Sequence, residues 1–139
     1  MADFSQDQVD RLDRAAKLAI RALENYMLED QEINLDADAG TNDLSFDAVR
    51  AGRVLVLEHL SGYNNTSSPT RIRLGYYNGH GFTWFKGTPA PIASETVEHN
   101  GRLLLRAGMY PVVRFEGCTA LDDLYAMING NTIAAMPSR

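Results

Sequence analysis

The sequence predicts a mainly β protein: a single antiparallel β-sandwich or jelly-roll-like barrel preceded by one long N-terminal α-helix. Three observations predict it. From residue 53 onward, short β-rich runs recur at roughly 8–12 residue spacing between turn signals, the rhythm of sandwiches and barrels. Near the start, apolar side chains instead recur in alternating steps of three and four, a helical period. Between these regions the chain has neither period and is rich in carboxylates. The sequence therefore divides into an amphipathic helix over 1–30, an acidic extended arm over 31–52 and a β-sandwich domain over 53–139.

The helix has a complete start signal. Ser5 and Gln8 have capping-box spacing, each side chain able to bond the other's amide, and Phe4 and Val9 are placed for a hydrophobic staple across it. Asp7 complements the positive helix end. Val9, Leu12, Ala16, Ala19, Leu23 and Tyr26 then form one stripe, widened by Ile20 and Met27, and the pattern predicts a helix from Gln6 to Leu28. Such a stripe is buried either by the chain's own sheet or by a matching helix of another subunit. Ala16 and Ala19 allow close backbone approach but weaken a self-sufficient coiled coil.

Residues 29–52 contain only short apolar pieces, at Ile33, Leu35, Leu44 and Phe46. They read as an arm that contributes one or two edge strands and, being poor in core residues, orders against a neighbour. Beyond it, RVLVLEHL (53–60) reads as a buried strand and SGYNNTSSPT as a polar loop. RIRLGYY (71–77) alternates, with Ile72, Leu74 and Tyr76 on one face and Arg71, Arg73 and Tyr77 on the other. NGHG turns the chain into FTWFK (82–86), a hairpin, and a proline-bearing connection follows. Asn100-Gly101, between SETVEH (94–99) and RLLLRA (102–107), is the strongest hairpin signal. YPVVRFEG (110–117), LDDLYAMIN (121–129) and TIAAM complete the β series.

The 139 residues are 45% hydrophobic and 22% charged, as in an ordinary globular protein. The net charge of −5 is unevenly spread: residues 1–52 hold 12 acidic and 5 basic side chains, and residues 53–139 hold 6 and 8. That balance argues against direct nucleic-acid binding, which needs clustered cations; Arg71 and Arg73 read as a solvated face. No run reaches the roughly 18–20 apolar residues of a membrane span. The polar, acidic opening is unlike a targeting peptide. Cys118 stands alone, so no intrachain disulfide forms, in keeping with assembly in a reducing cytoplasm.

Signals for chemistry are weak. His59, His80 and His99 lie on or beside three strand segments, but no HxH pair places two imidazoles on one strand face as a cupin-like metal enzyme requires. DADAGTND (36–43) resembles the opening of a calcium loop, yet Gly40 is fifth and Asp47 twelfth where an EF-hand has glycine sixth and glutamate twelfth. Glu58, Glu95, Glu98 and Glu116 are strand carboxylates with no mark of a facing pair. Cys118 has neither nucleophile elbow nor oxyanion motif, and GHG and GTP lack the following helix of a phosphate loop. No catalytic residue, cofactor or metal is assigned, and the chain reads as non-enzymatic. Of the aromatic group Tyr76, Tyr77, Phe82, Trp84 and Phe85, alternation separates Phe82 and Trp84 from Phe85. Trp84 reads as core, Tyr77 and Phe85 as interface residues. The alternative is a carbohydrate- or receptor-binding module using Tyr77, Trp84 and Phe85.

From Val54 to Gly130 the chain resembles small β-sandwich virion proteins of tailed bacteriophages. The resemblance lies in YNNTSSPTRIRLGYYNG, FTWF, NGRLLLRAG and VVRFEGCTALDDLYAMING, a little over half of the chain and without a catalytic motif. It implies a virion structural protein of the capsid decoration (cement) or head–tail connector type, assembled in the host cytoplasm. The implied partners are major capsid, portal or neck subunits and further copies of the chain. The helix and arm lie outside the resemblance. The expected interface residues are Val9, Leu12, Leu23, Tyr26, Ile33, Leu35, Tyr77 and Phe85.

Overall fold

The computed structural model describes residues 6–26 and 28–135, without the side chains of residues 7 and 18–26. Helix α1 spans Gln6–Tyr26. The periodicity placed its end at Leu28, but Leu28 opens a strand opposite Gly130, where ladder hydrogen bonds replace helical ones. Phe4, Ser5 and Met27, invoked for the staple, cap and stripe, lie outside the described residues.

Eight strands follow: β1 Leu28–Asn34, β2 Gly40–Ser45, β3 Arg53–Asn64, β4 Arg71–Tyr77, β5 Phe82–Pro89, β6 Val97–Leu105, β7 Tyr110–Cys118 and β8 Leu124–Ala134. They form two four-stranded sheets, ordered β1-β8-β3-β6 and β2-β7-β4-β5. Every pairing is antiparallel, and β1 with β8, β2 with β7, β3 with β6 and β4 with β5 each pair an early strand with its mirror image in chain order. The chain is one long antiparallel ribbon, tipped by the β4–β5 turn and wound over itself. This is the jelly-roll arrangement, an open sandwich rather than a closed barrel.

Alternation along the strands supplies the core. Leu55, Leu57 and Leu60 of β3, Leu105 of β6 and Leu124, Ala126 and Ile128 of β8 face Ile72 and Leu74 of β4 and Val113 and Phe115 of β7, all buried. The sheets approach so closely at Gly62 that a Cβ there would lie 2.7 Å from Val113 Cγ1.

Three sequence expectations need correction. The arm supplies two edge strands, β1 and β2, as expected, but it does not need a neighbour to order it: Ala37, Leu44, Phe46 and Val49 enter the common core of the sandwich. The boundary at Arg53 therefore does not separate two structural units, because Leu44 opposite Val113 gives this acidic segment a buried face. Asn100-Gly101 makes no hairpin. Strand β6 runs straight through it, because His99 opposite Leu60 and Leu103 opposite Leu57 bind it to β3 on both sides. The additional residue is absorbed as a bulge, and Gly101 is not among the positive-φ residues that a type I′ turn needs. Finally, Ser61–Asn64 extend β3 instead of opening a loop, all four paired to β8 and the first two also to β6. The expected turn at NGHG is present: Asn78 N–H donates to the Gly81 carbonyl, and Gly79 takes the positive φ.

Candidate functional site

The surface carries two groups of exposed apolar or aromatic side chains, and a buried polar knot holds the loops between strands. The first group starts on α1. The helix lies beside β8, which its connection to β1 enforces. Its first three turns stand clear of the sandwich: Val9 is 45% and Leu12 57% exposed, and every other described side chain from Gln6 to Lys17 is exposed as well. Polar residues of these turns are tied by i,i+4 contacts, Gln6 Nε2 donating to Asp10 Oδ1 at 3.1 Å and Lys17 pairing with Asp13 at 3.1 Å. The side chains of Leu23 and Tyr26 lie outside the described residues. Ile33 is exposed on the outer face of β1, opposite Tyr125, and Leu35 is exposed just after it. Tyr125 stacks on Tyr63 with centroids 4.9 Å apart.

The second group lies on the outer face of the β2-β7-β4-β5 sheet. Tyr77 stacks on Tyr110 at 5.1 Å and meets Phe82 edge-on at 5.8 Å, its hydroxyl donating to the Gly79 carbonyl. Phe82 stacks on Trp84 at 5.5 Å, and the Arg114 guanidinium lies over both rings, 5.0 and 4.8 Å from their centroids. Arg114 is locked by two bonds to Asp43, at 2.8 and 2.9 Å, which hold its pKa above the ordinary value against the opposing pull of burial. The indole can lie flat because Gly75 is beneath it, a Cβ there falling 2.6 Å from the ring.

This arrangement reverses the reading of Trp84 and Phe85. Between Leu74 and Gly75 the register of β5 shifts by one residue, from Lys86 to Trp84, leaving Phe85 in the bulge. Phe85 turns toward the core edge, half-buried and 4.6 Å from His99, while Trp84 stays on the outer face. The eight expected interface residues thus do not make one patch. Val9 and Leu12 share the helix, Ile33 and Leu35 share the β1 end, Tyr77 belongs to the opposite sheet, and Phe85 packs inward. The Arg114–Phe82–Trp84 stack escaped the sequence reading, although Arg114 occupies an outward position in YPVVRFEG, and its pairing with Asp43 required knowing that β2 lies beside β7.

The polar knot also escaped it. Asp122 is 1% exposed, and its Oδ2 accepts from Asn64 Nδ2 at 2.9 Å, Ser67 Oγ at 2.6 Å and the Thr119 amide at 2.8 Å. Asn64 Oδ1 in turn accepts from the amides of Thr66 and Ser67. Burial pushes the Asp122 carboxyl up, but the bonds from Ser67, Asn64 and Thr119 outweigh it and hold the pKa below the usual Asp value. Its neighbour Leu121 adopts φ 69°, a strained conformation held by its amide on the Ala37 carbonyl at 2.8 Å. The knot fixes the 64–67 loop to the 119–123 loop.

The groups considered for chemistry are dispersed. His59 Nδ1 lies 2.7 Å from Asn100 Oδ1, His80 sits in the exposed β4–β5 turn, and His99 packs on Phe85. Among the described residues no three His, Cys, Asp or Glu side chains converge as metal ligands. In DADAGTND, Asn42 closes the turn, accepting from the Asp38 amide and donating to the Asp38 carbonyl. The Cys118 thiol is buried and its pKa pushed up, by burial first and then by the nearby Asp122 charge, despite a hydrogen bond with Asn42; a protonated thiol is a poor nucleophile. A mouth of about 560 Å³ opens between the sheets at the β1 end, floored by Leu28, Phe46, Val49 and Ile128 and rimmed by Asp30, Asp47 and Arg50.

No family model matches the chain, and no curated protein sequence matches it. Solved structures similar in outline include the crystal structure of PirA, 9% identical over 73% of this chain and 92% of that one, with a TM-score of 0.45. The Drosophila NLP core, described for pentamer formation and histone binding, is 14% identical over 76% and 98%, with a TM-score of 0.39. The disulfide-linked pili of Bacillus endospore appendages are 15% identical over 79% and 91%, with a TM-score of 0.41. At these scores the likeness assigns no activity.

Proposed function

We propose that this chain is a non-enzymatic structural subunit of a tailed-phage virion, a decoration or cement protein of the capsid or a component of the head–tail interface. It binds neighbouring capsid, portal or neck subunits, and copies of itself, through the first turns of α1. The observation that carries the reading is the exposure of Val9 and Leu12 on a helix attached to a sandwich that already closes its own core. A stripe of period 3.6 is costly to leave in water and marks a partner surface. The virion assignment draws on the resemblance of residues 54–130. The fold itself leaves the choice open, because jelly rolls serve viral capsids, lectins and cupins alike.

The rival sugar-binding reading needs Tyr77, Trp84 and Phe85 on one face. Phe85 points inward and Arg114 covers the Trp84 ring, so that reading lacks its platform.

The test is the mass of the full chain in solution across a concentration series. The wild type is expected to form an oligomer, and Leu12→Glu to shift it to monomer while melting at the same temperature. A wild type that stays monomeric at the highest concentration, with Leu12→Glu indistinguishable from it, overturns the reading. Removing residues 1–26 is the matching truncation; removing 1–50 would also take away β1 and β2.

A further inference from the structure

The sandwich has two lateral edges, one strongly acidic and the other modestly basic, its β6 strand carrying one acid, Glu98, and one base, Arg102. On one side β1 and β2 are the outermost strands of their sheets; on the other, β6 and β5 are. Residues 28–47, which build the first edge, contain seven carboxylates (Glu29, Asp30, Glu32, Asp36, Asp38, Asp43 and Asp47) and no Lys or Arg. Only Asp43 is neutralised, by Arg114; among the described residues none of the other six forms an ion pair. Burial, then Asp30 and Asp47, push the Glu32 carboxyl above its ordinary range, a sign of crowded like charge.

Residues 71–89, behind the opposite edge, contain Arg71, Arg73 and Lys86 and no carboxylate. The arginine stems run over β5 at Gly87, Arg71 Cδ and Arg73 Cγ lying 3.7 and 3.8 Å from where a Cβ would stand. With Trp84, Lys86 and Pro89 they line an open groove of about 410 Å³. Arg73 is partly compensated by Glu116 at 3.4 Å, and Lys86 donates to the Glu98 carbonyl of β6 across the sandwich. Among the described residues Arg71 and Lys86 pair with no carboxylate.

We infer that copies of this chain associate head to tail, the groove of Arg71, Arg73 and Lys86 at the β5 edge receiving the carboxylates of the β1–β2 edge of the next copy. The inference rests on reading the chain as an assembly subunit and names the partner as a second copy. Opposite charges on opposite edges make the contact heterologous, so it closes into a ring or extends as a filament. Lys86 and Pro89 discourage continuation of the sheet by backbone pairing, so the seating is through side chains. Each contact is a charged rim contact, sensitive to salt.

The experiment measures association of the full chain at low and high salt by sedimentation, for the wild type, Arg71→Glu/Lys86→Glu and the fourfold reversal Glu29→Lys/Asp30→Lys/Asp36→Lys/Asp38→Lys, which leaves three carboxylates against four lysines in residues 28–47. Each variant alone has two like-charged edges and is expected to associate at least about tenfold more weakly than the wild type. Mixed one to one, the two variants present complementary edges at every junction, and association is expected to return. Because mixing restores it, loss through misfolding is distinguished from loss of the contact. If both reversals associate as the wild type does while Leu12→Glu does not, the head-to-tail contact is refuted and the helix reading stands. If the reversals abolish association and Leu12→Glu has no effect, the helix role fails and this contact stands. A wild type that remains one size at all salt concentrations, yet binds heparin fragments through Arg71 and Lys86, overturns it in favour of a polyanion site.

Discussion

Around Asp122 every buried side-chain polar atom of the described residues has a partner, whereas from Gln6 to Lys17 along α1 every described side chain is exposed. The two regions lie within one small chain and obey the same energetics. In the knot, a carboxylate withdrawn from water is compensated by three donors within hydrogen-bond distance. On the helix, Val9 and Leu12 stay largely in water and outside the buried core. The contrast separates two roles that a larger protein often mixes. The sandwich and its loop closure hold the fold together, and the helical contact proposed above would fall on surface outside the core.

That contrast can be broken by substitution. Asp122→Ala has the largest expected effect: it strands the Asn64, Ser67 and Thr119 donors, a loss of about 3 kcal/mol, measured by denaturant unfolding. The pH dependence carries a sign. A carboxyl whose folded pKa lies below the ordinary 3.8 contributes stability that is full above that value and is lost as pH falls through the folded pKa. Wild-type stability should therefore drop on acidification below the ordinary Asp range more steeply than that of Asp122→Ala. Arg114→Ala comes second, losing about 1–2 kcal/mol through the Asp43 bonds and the two ring faces, with a shift in Trp84 fluorescence as its signature. Leu12→Glu is smallest, within about 0.5 kcal/mol of the wild type in the same unfolding assay. A loss comparable to that of Asp122→Ala would show that α1 belongs to the core and would erase the contrast.

Much of the sandwich was legible in the sequence. The β4–β5 hairpin, the alternation of RIRLGYY and the β character of LYAMIN follow from local period and turn chemistry, and all three appear in the fold, although residues 121–123, expected in that last strand, form a loop. What failed was decided by distant partners. Asn100-Gly101 has the chemistry of a turn, but Leu60 and Leu57 of β3 hold the residues on both sides of it in one ladder. The 29–52 arm is poor in apolar residues, yet Leu44 and Phe46 fall on the face that β7 buries. For the candidate site, the spacing alone put Val9 and Leu12 on one helix. Phe85 could not be read that way, because a single inserted residue in β5 flips its direction, and no local signal announces a bulge. Asp122 belongs to a loop pair whose halves are distant in the chain, so its role emerges only when both are in place.

The mirror pairing of strands has a consequence for synthesis. The β4–β5 hairpin joins neighbours in the chain and zips early, but Leu28 must wait for Gly130, which leaves the ribosome more than a hundred residues later. Until then β1 and the flank of β3 that receives β8 have no partner, and the nascent molecule is at its most prone to clump. The closing step docks β1, and with it the helix that precedes it. The helix therefore takes its place only after β8 is made, so under the proposed assembly role an incomplete copy presents no docked helix to a neighbour.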